Sequence, residues 1–343
     1  MNKLNLRDKF EAMIVGWAIW DSMWLPVEMM TKKQIQEKYW YLTEFKETKD
    51  NIFFEKWGFK EEWIGYISDD TLLTLATLDS LSESKKVDFE NIWAQHIKYY
   101  DSAPYWFWRG TRSAVEDLRK WASYLNTWNP LWTGNWVMMK QSPLTMYYAV
   151  SNISEKQINE EIKTYSCITH ANKISVVSAI VHNKMLINLI LSKWALDKKK
   201  LIWELLKYAL KYENQINNME SNWENISSKL KQIYDLIDSS WEFKISDEEI
   251  LEKFGWWDEK ITKSCYIWVT LPIVYSIFLK NPNFKWFLDV INIGWDTDSY
   301  WAIIGNMIWA YSGKFYPEKY EKWVRDIEEI KSKVNIFVKT FTK

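Results

Sequence analysis

The chain has 343 residues, of which 48% are hydrophobic and 26% charged, and its formal net charge is −1 at pH 7. This is the composition of an ordinary globular protein with ample material for a core, and it lacks the basic excess that marks a nucleic-acid-binding protein. The two cysteines, Cys167 and Cys265, have no metal-ligand spacing and are too few for a disulfide framework, so we expect a reducing, cytoplasmic compartment.

Two apolar regions could suggest a signal sequence or a membrane span, but neither has the features of one. The first residues include Lys3, Arg7 and Asp8, and the apolar run after them is interrupted by charges, unlike the uncharged core of a secretory signal. The most apolar segment, 266–279, is short for a bilayer span and contains Pro272. We therefore interpret both as core helices and expect no membrane association.

Apolar residues recur with helical spacing along most of the chain. The spacing predicts helices over 7–20, 32–38, 71–81, 88–101, 112–121, 170–191, 261–279, 284–291 and 301–313, and a charged C-terminal helix from 317. A further apolar run covers 138–150, and 151–165 is either a polar connection or the start of a helix. Residues 195–250 show amphipathic patterns without motif residues, which favours a peripheral helical insertion over a separate binding module. With no convincing alternating strand, we predict an all-α fold in a single domain over 1–343.

Two short segments place hydroxyl and carboxylate side chains directly before an apolar helix. The late one contains Asp296, Asp298 and Ser299, and the early one is Ser68-Asp69-Asp70-Thr71. Helix N-termini favour such side chains, so each segment alone is explained by capping. Two of these helix ends facing each other would supply four carboxylates, a hard-oxygen set suited to a pair of ions such as Mg²⁺ or Mn²⁺.

The two segments resemble motifs of the ADP-ribosylglycohydrolase family, which carries T/S-D-D-T early and G-G-D-T-D-[TS] late. The resemblance extends over 16–28, similar to the family's G-x-A-x-G-D-A-x-G-x-P-x-E, and over 109–112, 134–144 and 169–170. It implies a compact orthogonal multi-helix domain with the active site at converging helix termini. It also implies metal-dependent hydrolysis of the glycosidic bond that links ADP-ribose to a protein side chain.

The resemblance also assigns roles at the implied metal centre. Two Mg²⁺ or Mn²⁺ ions would be held by oxygen side chains at both clusters: Ser68, Asp69, Asp70, Asp296, Asp298 and Ser299. Asp69 and Asp296 would also serve catalysis. Glu28 matches an acidic residue that lies beside the metals in relatives, as a general base or a switching ligand. We expect Asp21 to cap or orient its neighbours.

Substrate contacts are implied at the remaining motifs, namely at Arg109, Gly110, Thr111, Gly134, Asn135, Met138 and His170. Backbone N–H groups at a glycine-containing turn can cradle a diphosphate without a side-chain charge. His170 could contact the ribose or a phosphate, or be a satisfied buried imidazole. Lys140 stands where relatives commonly have arginine, and a lysine cannot make the bidentate hydrogen bonds that an arginine makes.

Tryptophan replaces glycine at many of the motif positions. These are Trp17, Trp20, Trp24, Trp136, Trp295, Trp301 and Trp309. The chain has 25 tryptophans and 9 glycines, whereas ordinary usage would give about 24 glycines. We hypothesise that UGA codons meaning glycine in the source lineage were translated as tryptophan; the alternative is a genuinely tryptophan-rich protein.

The expected partner is an ADP-ribosylated protein, and we expect a monomer. Two alternatives remain open: a hydrolase of another small molecule that contains ADP-ribose, and a non-catalytic ADP-ribose-binding relative. The sequence does not identify the acceptor residue, arginine, serine or another.

Overall fold

The computed structural model describes most of the chain. The described residues are 3–28, 30–47, 64–103, 107, 109–121, 123–127, 129–193, 195–216, 219, 224–238, 242–243, 245–255, 265–282, 297–313 and 318–342. The predicted helix over 284–291 therefore lies outside them.

The described residues are mainly helical, which confirms the all-α fold class. The helices are α1 (Lys3–Trp24), α2 (Lys32–Tyr39), α3 (Asp69–Ser84), α4 (Phe89–Ser102), α5 (Arg109–Trp121), α6 (Trp136–Met139), α7 (Ser142–Val150), α8 (Glu155–Cys167), α9 (Lys173–Leu191), α10 (Lys198–Gln215), α11 (Ile226–Leu236), α12 (Asp247–Phe254), α13 (Ile267–Lys280), α14 (Thr297–Ser312) and α15 (Ile327–Phe341). Short 3₁₀ turns follow at Leu25–Val27, Tyr124–Asn126 and Glu318–Trp323. The described residues also form isolated β-bridges, and no β-strand is found among them.

Side-chain caps explain where many of the helices begin. Ser154, for example, accepts a hydrogen bond from the Gln157 N–H at the start of α8, so the 151–165 segment is a helix start rather than a connection. Pro143 lies at the start of α7, where its missing N–H costs nothing. The apolar run over 138–150 is thus two helices, separated at Lys140 and Gln141.

The core is built around α1 and α14, which pack against each other along much of their length. Helix α1 also contacts α3 and α15, and the central helix α9 is surrounded by α6, α7, α8, α10 and α14. By length and hydropathy α9 could cross a membrane, but 78% of its apolar window is buried inside the protein. That burial is what a core helix of a globular protein shows.

The helices of the 195–250 region lie beside this core. Helix α10 packs on α9 and α11, while α11 and α12 both pack on α13. Their description as a peripheral insertion in one domain stays a prediction.

Candidate active site

The N-terminus of α3 is anchored by a carboxylate from α1. Oδ2 of Asp21 accepts hydrogen bonds from the Ser68 N–H at 2.8 Å and the Thr71 N–H at 3.3 Å, and also from the Thr71 hydroxyl. Asp21 itself is fully buried. These donors lie 47 and 50 positions away in sequence, so Asp21 orients the early acidic cluster and does so across the fold.

Ser68 caps the same helix end. Its side chain accepts a hydrogen bond from the Asp70 N–H at 3.1 Å, which is the capping role that its position favours. The two carboxylates that follow, Asp69 and Asp70, are 1% and 2% exposed. Burial of carboxylates at this depth is costly without hydrogen bonds, an opposite charge or a metal ion.

The late cluster meets the early one at Ser299. Its hydroxyl donates to Oδ2 of Asp70 at 3.3 Å, and Ser299 is itself buried. Ser299 lies in the first turn of α14, so this contact joins the N-terminal ends of α3 and α14. The two oxygen-rich clusters therefore share one buried place, although they are 229 positions apart.

Two of the predicted ligands are not seen at this place. Asp296 lies outside the described residues, and the side chain of Asp298 in α14 is not described. Over the residues that are described, no group of three or more His, Cys, Asp or Glu side chains could hold a metal ion.

The donors that are described nevertheless fit a hard cation. Ser68, Asp69, Asp70 and Ser299 offer only oxygen atoms, and Mg²⁺ and Mn²⁺ prefer oxygen ligands. The contact between Ser299 and Asp70 shows that oxygens from both helix ends come within hydrogen-bonding distance of each other. These residues would hold such an ion, with Asp296 and Asp298 as the further ligands that the motif predicts.

Glu28 lies at the end of the 3₁₀ turn that continues α1. It is 5% exposed, its N–H donates to the Leu25 carbonyl at 3.4 Å, and the turn packs against α14. The structure therefore places Glu28 inside the protein, next to the helix that carries Ser299, rather than on a solvated loop.

The predicted substrate turn at Gly134 and Asn135 is fixed by the chain before α13. The Asn135 N–H donates to the Cys265 carbonyl and the Ile267 N–H to the Thr133 carbonyl, both at 2.8 Å. The Asn135 side chain also donates to the Thr270 hydroxyl at 3.2 Å. Since the Asn135 N–H is used inside the protein, it is not a free donor for a diphosphate.

Helix α6 follows this turn and packs on the helices that carry the acidic clusters. It packs against α3 and α14, the two helices that carry the clusters, and against α9. Met138 in α6 is fully buried, so it lines the core here and not an open surface. The turn is thus linked, through α6, to the two helices whose first turns carry the clusters.

His170 faces the substrate turn from the loop before α9. A Cβ atom added to Gly134 would lie 3.1 Å from Nε2 of His170, and the Trp136 ring centroid is 6.2 Å from that of the imidazole. Nδ1 of His170 is buried without a hydrogen-bond partner among the described residues. Burial, with the positive charge of Lys140 as a smaller cause, lowers the pKa of His170 to about 3, so the ring is neutral.

Lys140 is buried in the same region. Its Nζ donates to the Thr169 hydroxyl at 3.1 Å and lies 4.5 Å from the centroid of the Tyr165 ring. Burial lowers its pKa to about 7. Lys140 therefore supports the loop that carries His170 from within. The local sequence pattern gives no sign of this contact, because the two residues are 29 positions apart.

The Arg109 motif begins α5. The Arg109 side chain is not described, Gly110 is partly exposed, and Thr111 is 1% exposed with no hydrogen-bond partner for its hydroxyl among the described residues. A Cβ on Gly110 would lie 3.8 Å from the Trp132 ring, which places this motif beside the 129–135 loop. No described contact joins it to the acidic clusters.

Comparisons with known proteins agree with the motifs. A family model described as ADP-ribosylglycohydrolase matches residues 2–337, whereas no curated protein matches. Among solved structures, a chain described as "ADP-ribosylglycohydrolase-related protein complex" is similar at a TM-score of 0.67 and 17% identity, with 98% of this chain and 99% of that chain covered. That likeness shows the fold, and the family match covers nearly the whole chain. The chain belongs to the ADP-ribosylglycohydrolase family.

Proposed function

We propose that this protein hydrolyses the glycosidic bond between ADP-ribose and a protein side chain, and that it does so with two Mg²⁺ or Mn²⁺ ions. The observation that supports this best is the 3.3 Å contact between the Ser299 hydroxyl and the Asp70 carboxylate. It brings together two clusters that, separately, are explained by helix capping. A buried set of oxygen ligands supplied by two helix ends suits divalent cations.

The chain's own residues would divide the work. Asp21 holds the Ser68 and Thr71 end of α3 in place, so that the Asp69 and Asp70 carboxylates are fixed before any ligand arrives. Glu28 is our candidate general base, and it would take a proton from the attacking water. Bound ions would orient ribose hydroxyls and offset charge as the glycosidic bond breaks.

The substrate side of the site would be the Gly134–Asn135 turn and His170. A neutral His170 offers a ribose hydroxyl either a donor or an acceptor nitrogen, which suits recognition of an uncharged sugar group. We propose an ADP-ribosylated protein in the cytoplasm as the partner and a monomeric enzyme.

Hydrolysis of ADP-ribosyl-arginine and ADP-ribosyl-serine peptides, followed by release of ADP-ribose, tests the proposal. The protein is assayed in two forms, with tryptophan and with glycine at the motif positions named above. We expect hydrolysis that EDTA abolishes and that Mg²⁺ or Mn²⁺ restores. Metal-independent hydrolysis by either form would contradict the mechanism.

A pair of matched variants separates loss of the site from loss of charge at a helix end. Asp70→Asn keeps the size of the side chain but removes a charge from the site, so metal affinity and turnover should fall together, and excess metal should partly restore turnover. Asp88→Asn makes the same change at the N-cap of α4, where Asp88 accepts from the Asn91 N–H at 3.1 Å, and should leave turnover unchanged. Equal activity of the two variants would count against metal binding at Asp70.

The same assay separates the alternatives. Release of ADP-ribose from a small molecule but from neither peptide would show the other hydrolase class. Tight ADP-ribose binding without turnover in either form would show a non-catalytic binder.

A further inference from the structure

The backbone at Trp40 has a conformation that glycine adopts and tryptophan avoids. Trp40 is the C-cap of α2 with φ 61° and ψ −61°, and its N–H donates to the Gln36 carbonyl at 2.9 Å. Gly313 also ends α14 at a positive φ, +87°, with its N–H on the Trp309 carbonyl at 2.9 Å. A positive φ after a helix is the usual place for glycine, and for a bulky residue it is an outlier.

Burial does not compensate Trp40 for this conformation. The residue is 85% exposed, so its indole removes little apolar surface from water. Lys85 also ends a helix at positive φ, but its ψ of 20° lies close to the ordinary left-handed region, whereas the ψ of Trp40 lies far from it. The residue type at position 40 thus conflicts with its own backbone.

A second observation is the close packing around Trp309 in the contact between α1 and α14. The rings of Trp20, Trp24 and Trp309 form a buried row, with centroids 6.3 Å apart for the first pair and 6.5 Å for Trp20 and Trp309. Trp309 lies so close to Gly16 and Gly305 that a Cβ on either would be 2.6 Å from its ring. Two glycines thus remain beside an indole, on helix faces where glycine would let the two backbones approach.

The indole nitrogens on α1 add a further conflict. The N–H groups of Trp17 and Trp24 are buried and have no acceptor among the described residues. Buried donors in native proteins are nearly always paired, and each exception calls for an explanation. Glycine at these two positions would have no side-chain donor to satisfy.

We propose that positions 17, 20, 24, 40, 136 and 309 are glycine in the protein that its source cells make, and that UGA codons read there as glycine account for the tryptophans. The inference explains the excess of tryptophan and the shortage of glycine together. It also explains why the conflicts lie at a helix cap and at a helix contact.

The consequence for the site is at position 136. The Trp136 ring is 7% exposed and stands beside His170 at the Gly134 turn. Glycine there removes the ring and opens that face of His170 to a ligand. This part rests on the proposed function, because it takes the ligand to be ADP-ribose.

Codon and peptide analysis test the assignment directly. The gene is read at the six positions, and peptides of the protein from its source cells are analysed by mass spectrometry. We expect UGA codons and glycine-bearing peptides. UGG codons, or tryptophan in the peptides, would overturn the assignment at each position where they occur, whatever the protein's activity.

Stability measurements test the stereochemical argument on the tryptophan-bearing chain. Trp40→Gly should raise the midpoint of urea unfolding, because the backbone conformation is no longer strained. Trp203→Gly is the matched control: this half-exposed residue lies inside α10 with its ring 5.6 Å from that of Tyr234, centroid to centroid, so the midpoint should fall. A fall for Trp40→Gly as well would overturn the argument for position 40.

Calorimetric titration with ADP-ribose tests the consequence at position 136. Trp136→Gly should bind ADP-ribose at least about tenfold more tightly than the tryptophan chain does. Equal affinity would overturn the claim that this ring blocks the site. Because the peptide masses report on the glycine assignment alone, failure of the proposed function and failure of this inference give different results.

Discussion

Asp21 offers the sharpest test of how the early acidic cluster is held. In Asp21→Ala, the Ser68 N–H, the Thr71 N–H and the Thr71 hydroxyl lose the carboxylate oxygen that they share. A hydrogen bond to a charged group contributes about 1.5–3 kcal/mol, and each buried donor left unpaired costs about 1–3 kcal/mol. The three bonds share one acceptor, so their contributions are not additive. We expect the free energy of unfolding to fall by about 3–6 kcal/mol, which is a large part of the 5–15 kcal/mol that is usual for a folded protein.

Urea unfolding followed by circular dichroism measures this loss, with Asp88→Ala as the control. Asp88 caps α4 through one hydrogen bond at a more exposed site, so its loss should cost about 1 kcal/mol. In a variant such as Asp21→Asn that still folds, Mg²⁺ or Mn²⁺ affinity should also fall, because the end of α3 is less firmly placed. A loss for Asp21→Ala no larger than that for Asp88→Ala would refute the reasoning.

Three further predictions concern buried basic groups. His96, His170 and His182 each have a pKa lowered by burial to about 3. Because the unfolded chain takes up protons that the folded chain does not, the free energy of unfolding should fall by up to about 3 kcal/mol from pH 6.5 to 5.5. A urea midpoint that does not change over this range would contradict the prediction. Lys140 has a folded pKa of about 7, so it should raise stability by about 1 kcal/mol from pH 7 to 8, and Lys140→Met should abolish that rise. Thr169→Val removes the hydrogen-bond acceptor of Lys140 and should cost about 1–3 kcal/mol in urea unfolding at pH 7; a neutral effect would show that the bond adds nothing.

The helices could be predicted well from the sequence because the signals that define them, caps and apolar periodicity, act over a few residues. The oxygen side chains of Ser68 and its neighbours cap α3 within one turn, and the apolar periodicity of α9 is visible over its whole length. The division of 138–150 was not predicted. It follows from Lys140 and Gln141, which are buried and find partners in other elements, Thr169 and Ala179.

At the site, too, local features could be predicted from the sequence, whereas contacts between distant segments could not. The motifs name the two acidic clusters, but spacing alone does not say whether they meet. That follows from the packing of α1, α3 and α14 and is seen in the contact of Ser299 with Asp70. The support from Asp21 was expected to be local, yet its donors come from another helix, because the end of α3 is packed against α1.

Anomalous diffraction from crystals grown with Mn²⁺ tests the central claim most directly. We predict two peaks where α3 and α14 begin, each within about 2.0–2.6 Å of carboxylate or hydroxyl oxygens, with Asp70 and Asp298 among the ligands. The carboxylates of the two clusters must then lie close enough to share the ions. Peaks elsewhere, or Asp70 and Asp298 carboxylates more than about 10 Å apart, could not serve metals bound at those distances and would contradict the account.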